Sequence, residues 1–288
     1  MCRFVAYLGK KPVVLNEIID FPENSLINQS RRAREGNFGL NADGFGIGWY
    51  DHMIDDEPGI YKSIQPAWND SNLKHIAAKV RSTCFLGHVR ASTIGDVSTA
   101  NSHPFYYNQF SFVHNGTIQG IDLIRRQLLN SLSDQRFRLL KGQTDSELFF
   151  ALLMDILYCK THQFDLDTIA RSFLDAIEKI NYLKKDKPQD ITRLNTVLTD
   201  GKKLIATRYI SNLEQKSLSL YYAVGDYIDT TKRQGIMCQS YHSTGALLIA
   251  SEPLTDSAKE WNEIPLNHML LVDEKLNINI KPMGLVDS

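Results

Sequence analysis

Apolar residues fall along the chain first in short runs, then at helical spacing, then in short runs again. Val5-Ala6-Tyr7, Phe45 to Tyr50, Ile60-Tyr61, Phe85 to Val89 and Phe110 to Val113 are strand-like, with glycine-rich turns between them. Two helices are expected to interrupt them, Leu26 to Arg34 and Leu73 to Val80, the second capped by Asn72. The middle of the chain is helical. Ile121 to Leu132 is amphipathic, and Asp145 to Tyr158 carries Leu148, Phe149, Leu152, Leu153, Ile156 and Leu157 at helical spacing. A third helix, from about Asp167 to Leu183, places Ile169, Phe173, Ile177 and Ile180 on one face, and Lys184 to Pro188 ends it.

Strands then return. Leu194 to Leu198 and Leu204 to Thr207 flank Asp200-Gly201, a hairpin signal. Leu218 to Val224, Ala246 to Ala250, Met269 to Val272 and Ile278 to Ile280 follow. Strands, then helices, then strands predict an α+β domain of layered sheets and helices, not alternating βαβ units. With no repeat or flexible linker, residues 2–288 are expected to form one domain.

Composition narrows the classes of function. A net charge of −1 without blocks of like charge argues against nucleic acid or an anionic membrane as the main partner. The apolar stretches are strand-length or interrupted by charge, so no transmembrane helix is expected. Arg3 breaks what would otherwise be a secretory h-region, and a cytoplasmic protein is the natural expectation. Cys2, Cys84, Cys159 and Cys238 match neither a zinc knuckle nor a disulfide framework. Cys84 and Cys159 sit in apolar runs and read as inert packing residues. Cys2 stands apart because removal of Met1 would put its amine beside its own thiol.

Four further stretches have chemical readings. Gly87-His88-Val89-Arg90 ends a strand, and Arg90 is either a solvated charge or a bidentate carboxylate ligand. His114-Asn115-Gly116 reads alone as a tight hairpin turn, or as an oxyanion hole made of the Asn115 amide and the Gly116 N–H. Thr144-Asp145-Ser146-Glu147 is a capping box that leaves Asp145 free for a substrate ammonium. Asn41 to Trp49 fits neither a phosphate cradle nor a dinucleotide motif, and its alternate glycines suggest close packing against another backbone. His88, His103 and His114 lack metal-ligand spacing and read as hydrogen-bonded structural histidines, so no metal or cofactor is expected.

In combination, Cys2, G-H-x-R, H-N-G and T-D-S-E resemble the class II glutamine amidotransferases, N-terminal nucleophile hydrolases with a four-layer αββα sandwich. N-A-D-G-F-G-I-G-W, N-S-H-P-F and Ser251-Glu252-Pro253-Leu254 resemble the stand-alone subgroup, which includes γ-glutamyl hydrolases of ergothioneine synthesis and glutathione breakdown. The resemblance implies Cys2 as nucleophile once Met1 is removed, with Asn115 and Gly116 as the oxyanion hole. It also implies Arg90, helped by Thr93, at the substrate α-carboxylate and Asp145 at the α-ammonium, with the Gly116 carbonyl assisting. Synthetase-linked members have tryptophan and histidine where Ala91 and Ile94 stand, so this loop is expected to differ. The implied substrate is glutamine or a γ-glutamyl amide. The implied partner is a separate ammonia-accepting subunit, or none if the enzyme simply hydrolyses. The other reading kept open is a non-catalytic γ-glutamyl-sensing, or a glutaminase-like, subunit docked on a partner synthetase.

Overall fold

The computed structural model describes residues 2–35, 39–92, 94–160, 163–187, 189–225, 227–229, 236–238, 245–256 and 260–285. Its strands are β1 (Arg3–Val14), β2 (Phe45–Trp49), β3 (Gly59–Ser63), β4 (Arg81–Val89), β5 (Phe105–Tyr107), β6 (Phe110–Ile118), β7 (Thr192–Thr199) and β8 (Leu204–Ile210). They continue with β9 (Tyr221–Gly225), β10 (Tyr227–Asp229), β11 (Ile236–Cys238), β12 (Ala246–Ala250), β13 (Asn262–Glu263), β14 (His268–Val272) and β15 (Ile278–Pro282). The helices are α1 (Asn16–Ile19), α2 (Leu26–Arg31), α3 (Ser71–Ala77), α4 (Ile121–Ser131), α5 (Asp134–Phe137), α6 (Asp145–Lys160) and α7 (Leu166–Leu183).

One antiparallel sheet runs β13-β9-β12-β1-β4-β2-β3 and a second β15-β14-β8-β7-β6-β5, while β10 and β11 pair with each other as a two-stranded ribbon. Side chains along β1 explain why the two sheets stack. Phe4, Ala6 and Leu8 point into a core shared with Val113, Val197 and Leu270 of the second sheet. Val5 and Tyr7, on the opposite face, pack with Ile18, Leu26 and Leu73 around α1 to α3. Because both faces of these strands are buried, their sequences are near-continuous apolar runs instead of alternating ones. The second sheet turns Phe112, Leu194, Leu198 and Met269 outward against α4, α6 and α7. The result is the αββα sandwich, an α+β fold. Among the described residues, no helix is long and apolar enough to cross a membrane.

Several local expectations shift by a few residues. The first predicted helix stops at Arg31, not Arg34, and the strand expected from Leu218 begins at Tyr221. Asp70, not Asn72, caps α3: its carboxylate accepts the Leu73 N–H at 2.8 Å, while Asn72 already lies inside the helix. Cys84 is buried as expected, but Cys159 is exposed, because it falls in the last turn of α6 where the helix leaves the core. Pro188 lies outside the described residues. Asp200-Gly201 does reverse the chain between β7 and β8, with Gly201 at φ +83°.

Candidate active site

Cys2 immediately precedes the central strand. Arg3 of β1 lies opposite Val89 of β4, so Cys2 falls beside the residues that follow β4. Its Sγ is 3.4 Å from both the amide nitrogen and the carbonyl oxygen of Ala91. Burial raises the thiol pKa, while the Ala91 N–H and the Arg90 charge lower it and Asp145 raises it. The half-buried thiol therefore sits within electrostatic reach of two of the residues read from the sequence.

His114-Asn115-Gly116 is not a turn. It lies inside β6, paired with Thr196, Asn195 and Leu194 of β7. The Asn-Gly turn signal is overridden because the strand runs on to the buried Ile118 and β7 offers a full partner strand. Asn115 is buried, and its Oδ1 has no hydrogen-bond partner among the described residues. A Cβ at position 116 would collide with the Arg193 carbonyl and the His114 ring, so only glycine fits there. The His114 ring spans from Ser146 Oγ (2.8 Å at Nδ1) to the Arg193 carbonyl (3.0 Å at Nε2).

Arg90 is buried and donates to the carbonyls of Ile94 (2.9 Å), Gly95 (3.2 Å) and Asp96 (3.0 Å) and to Ser92 Oγ (3.1 Å). It thus organises the loop after β4 from within. Thr93 lies outside the described residues. Asp145 opens α6, accepting the Ile118 N–H at 2.8 Å on Oδ2 and the Ser146 N–H at 2.8 Å on Oδ1. Only half of the expected capping box forms. Thr144 Oγ1 accepts the Glu147 N–H at 3.1 Å, but the Glu147 carboxylate takes the amides of Lys141 and Gly142, both at 2.8 Å. Among the described residues, neither Arg90 nor Asp145 has an oppositely charged partner within 4 Å.

Beside this cluster opens a cavity of about 610 Å³. Arg3, Asn115 and Gly116 line it, together with Arg193, Lys216 and Tyr221 from distant segments. Cys2, Arg90 and Asp145 lie outside its lining. Arg193 donates its Nε–H to the Lys216 carbonyl at 3.0 Å, and its terminal nitrogens meet no protein acceptor among the described residues. Sequence reading missed Arg193, Lys216 and Tyr221, since nothing local distinguishes them from surface residues.

Beneath the site lie the other two histidines. His88 Nε2 is 3.2 Å from the His114 carbonyl, and its ring packs 4.1 Å from His103. Burial pulls the His88 pKa down to about 3 and lowers those of His103 and His114, so all three are neutral at physiological pH. His103 departs from expectation: neither ring nitrogen has a hydrogen-bond partner among the described residues, and the ring instead packs on His88 and edge-on to Phe105 at 4.6 Å. The carbonyl of His103 occupies the space a Cβ at Gly46 would take, which is the close backbone packing expected of the alternate glycines.

The chain matches the family model for class-II glutamine amidotransferases over residues 23–279. It is 33% identical over 302 residues to a probable glutamine amidotransferase of Saccharomyces cerevisiae, covering 98% of this chain and 84% of the yeast protein. It is 24% identical to the γ-glutamyl-hercynylcysteine sulfoxide hydrolase of Mycobacterium tuberculosis, covering 96% of this chain and 94% of that one. Among solved structures, a glutamine aminotransferase class-II domain protein from Silicibacter pomeroyi superposes with a TM-score of 0.65 at 27% identity, covering 98% of this chain and 99% of that one. The chain belongs to the class-II glutamine amidotransferases, and it is an enzyme.

Proposed function

We propose that this class-II glutamine amidotransferase hydrolyses a γ-glutamyl amide through a thioester on Cys2, exposed as the first residue when Met1 is removed. The observation that carries the reading is a half-buried Cys2 thiol seated 3.4 Å from the Ala91 backbone, within electrostatic reach of one cation, Arg90, and one anion, Asp145, neither of them ion-paired among the described residues. An amino acid zwitterion needs such a pair: Arg90 for its α-carboxylate and Asp145 for its α-ammonium. The carbonyls of Ile94, Gly95 and Asp96 and the Ser92 hydroxyl hold the Arg90 guanidinium in place.

A free α-amine, with a pKa of about 8, accepts the thiol proton near neutral pH. The thiolate forms a C–S bond with the γ-carbonyl carbon, and the carbonyl electrons move onto oxygen. The Asn115 amide and the Gly116 N–H stabilise that oxyanion. Collapse breaks the C–N bond while the α-ammonium returns its proton to the departing nitrogen. Water then attacks the thioester and releases glutamate, regenerating the thiol. The neighbouring cavity, with the Arg193 and Lys216 cations on its wall, suits a leaving group that bears a carboxylate. The mycobacterial relative, named for a substrate with a bulky leaving group, fits this reading better than ammonia transfer from glutamine to a second subunit.

The test is turnover of glutamine and a panel of γ-glutamyl amides by enzyme whose free N-terminal cysteine is verified by mass spectrometry. A γ-glutamyl amide is expected to be consumed, and Cys2→Ala to abolish it. Turnover of none of them sinks the proposal.

A further inference from the structure

Ser251-Glu252-Pro253-Leu254 has no place in the mechanism above, yet it grips the two residues that follow the nucleophile. Ser251 brackets the residue after Arg3, its hydroxyl accepting the Phe4 N–H and its own N–H donating to the Phe4 carbonyl, both at 3.1 Å. Glu252 is fully buried and accepts the Arg3 Nε–H at 2.7 Å. The rest of its carboxylate holds the amides of Arg34 (2.8 Å) and Glu35 (3.0 Å). Arg3 completes the circuit, donating to the Cys2 carbonyl at 2.9 Å and to the Glu35 carbonyl. A buried ion pair is a weak source of net stability, and one that spans two functional segments is better explained by what it holds.

We infer that Arg3 and Glu252 are positioning residues for the reaction, a paired charge that fixes the Cys2 backbone against the Glu35 wall of the cavity. The pairing also keeps the Arg3 charge from acting on the Cys2 amine. The charged groups around Cys2 are Arg3 on its own strand, Arg90 after β4 and Asp145 at the start of α6, with the Glu252 carboxylate behind Arg3 and the Glu35 carboxylate turned to the Tyr221 hydroxyl. Of these, Arg3 is bonded to the Cys2 residue itself. Stripped of its partner, its guanidinium would disfavour a neighbouring ammonium. Stripped of Arg3, Glu252 would favour one. A unit charge acting on an amine across about 6 Å of partly solvated surroundings shifts its pKa by roughly half a unit to one unit, and a change of that size is expected in each variant.

The test uses Glu252→Gln, Arg3→Gln and the double variant, each with Cys2 verified as first residue. The Cys2 amine is titrated by the pH dependence of its acylation, read by mass spectrometry, beside the acid limb of kcat/KM. The inference requires the amine pKa to fall in Glu252→Gln, to rise in Arg3→Gln, and to return toward wild type in the double variant. Two lowered activities with an unmoved amine pKa would mean packing damage only and overturn it. Its kinetic half rests on the amine acting as base, as proposed above. If the amine pKa moves while the kcat/KM limb does not, that base assignment fails and the positioning inference stands. Loss of folding in one single variant leaves the other and the double to decide, because the predicted shifts have opposite signs.

Discussion

The Ser146 hydroxyl lies 2.8 Å from Nδ1 of His114, joining the residue after Asp145 to the residue before Asn115. The tautomer follows from the partners. The Arg193 carbonyl can only accept, so Nε2 carries the proton and Nδ1 accepts from Ser146. The start of α6 and the centre of β6 are thereby held in fixed relation through a neutral ring. Ser146→Ala leaves Nδ1 buried without a donor and is expected to cost about 1–3 kcal/mol of stability. Urea unfolding of the two proteins measures it, and an unchanged midpoint would show that the bond contributes nothing.

Asn115→Ala isolates the oxyanion role. The Asn115 side chain is buried beside Gly116 and has no partner on Oδ1 among the described residues, so truncation disturbs few contacts other than the proposed one. The expected result is a fall in kcat of roughly 100- to 1000-fold with KM little changed. A loss confined to KM would assign Asn115 to ground-state binding instead.

Much of the architecture was legible because a strand buried on both faces, or a helix with one apolar face, leaves a mark on every residue. The extents of α6 and α7, the Asp200-Gly201 reversal and the close packing at Gly46 were readable in this way. His114-Asn115-Gly116 was misread in isolation because turn propensity is local, whereas its strand partner β7 is some eighty residues distant in sequence. Asp70 displaced Asn72 as cap for a similar reason: either residue type can cap, and only the path of the chain chooses between them. The cavity wall was silent altogether. Arg193 and Lys216 resemble solvated surface charges until the fold brings them beside Asn115, and Glu252 acquires meaning only once Arg3 is seen opposite it.

The buried histidines set a pH dependence of stability. His88 has its pKa pulled from about 6.5 down to about 3, so between those values only the unfolded chain binds this proton. Its contribution is intact above pH 6.5 and is lost progressively as pH falls toward 3. From pH 6.5 to 5 this one residue is expected to remove roughly 2 kcal/mol of stability. His88→Gln is expected to flatten that dependence, whatever it does to stability at pH 7. Denaturant midpoints of both proteins at pH 7 and pH 5 provide the comparison, and equal losses would mean that His88 is protonated in the folded protein.

The reading of the leaving group can be separated from that of the acyl group. Among the described residues the Arg193 side chain is anchored by one hydrogen bond, from Nε to the Lys216 carbonyl, and its terminal nitrogens are left available on the cavity wall beside Gly116. Lys216 is exposed at the same wall. Glutamine, which loses only ammonia, cannot reach these groups, whereas a γ-glutamyl amino acid or dipeptide places a carboxylate beyond the scissile bond. A charge-assisted hydrogen bond to that carboxylate would strengthen productive binding by about 1–2 kcal/mol, allowing for partial exposure. Arg193→Ala is therefore expected to lower kcat/KM for such substrates by roughly 5- to 30-fold, with a smaller loss in Lys216→Ala. Glutamine turnover should change little in either variant. Paired kinetics on glutamine and a γ-glutamyl dipeptide decide the matter. Equal losses on both substrates would mean that Arg193 acts through the strand carrying Asn115 and Gly116, because its carbonyl also receives the His114 ring.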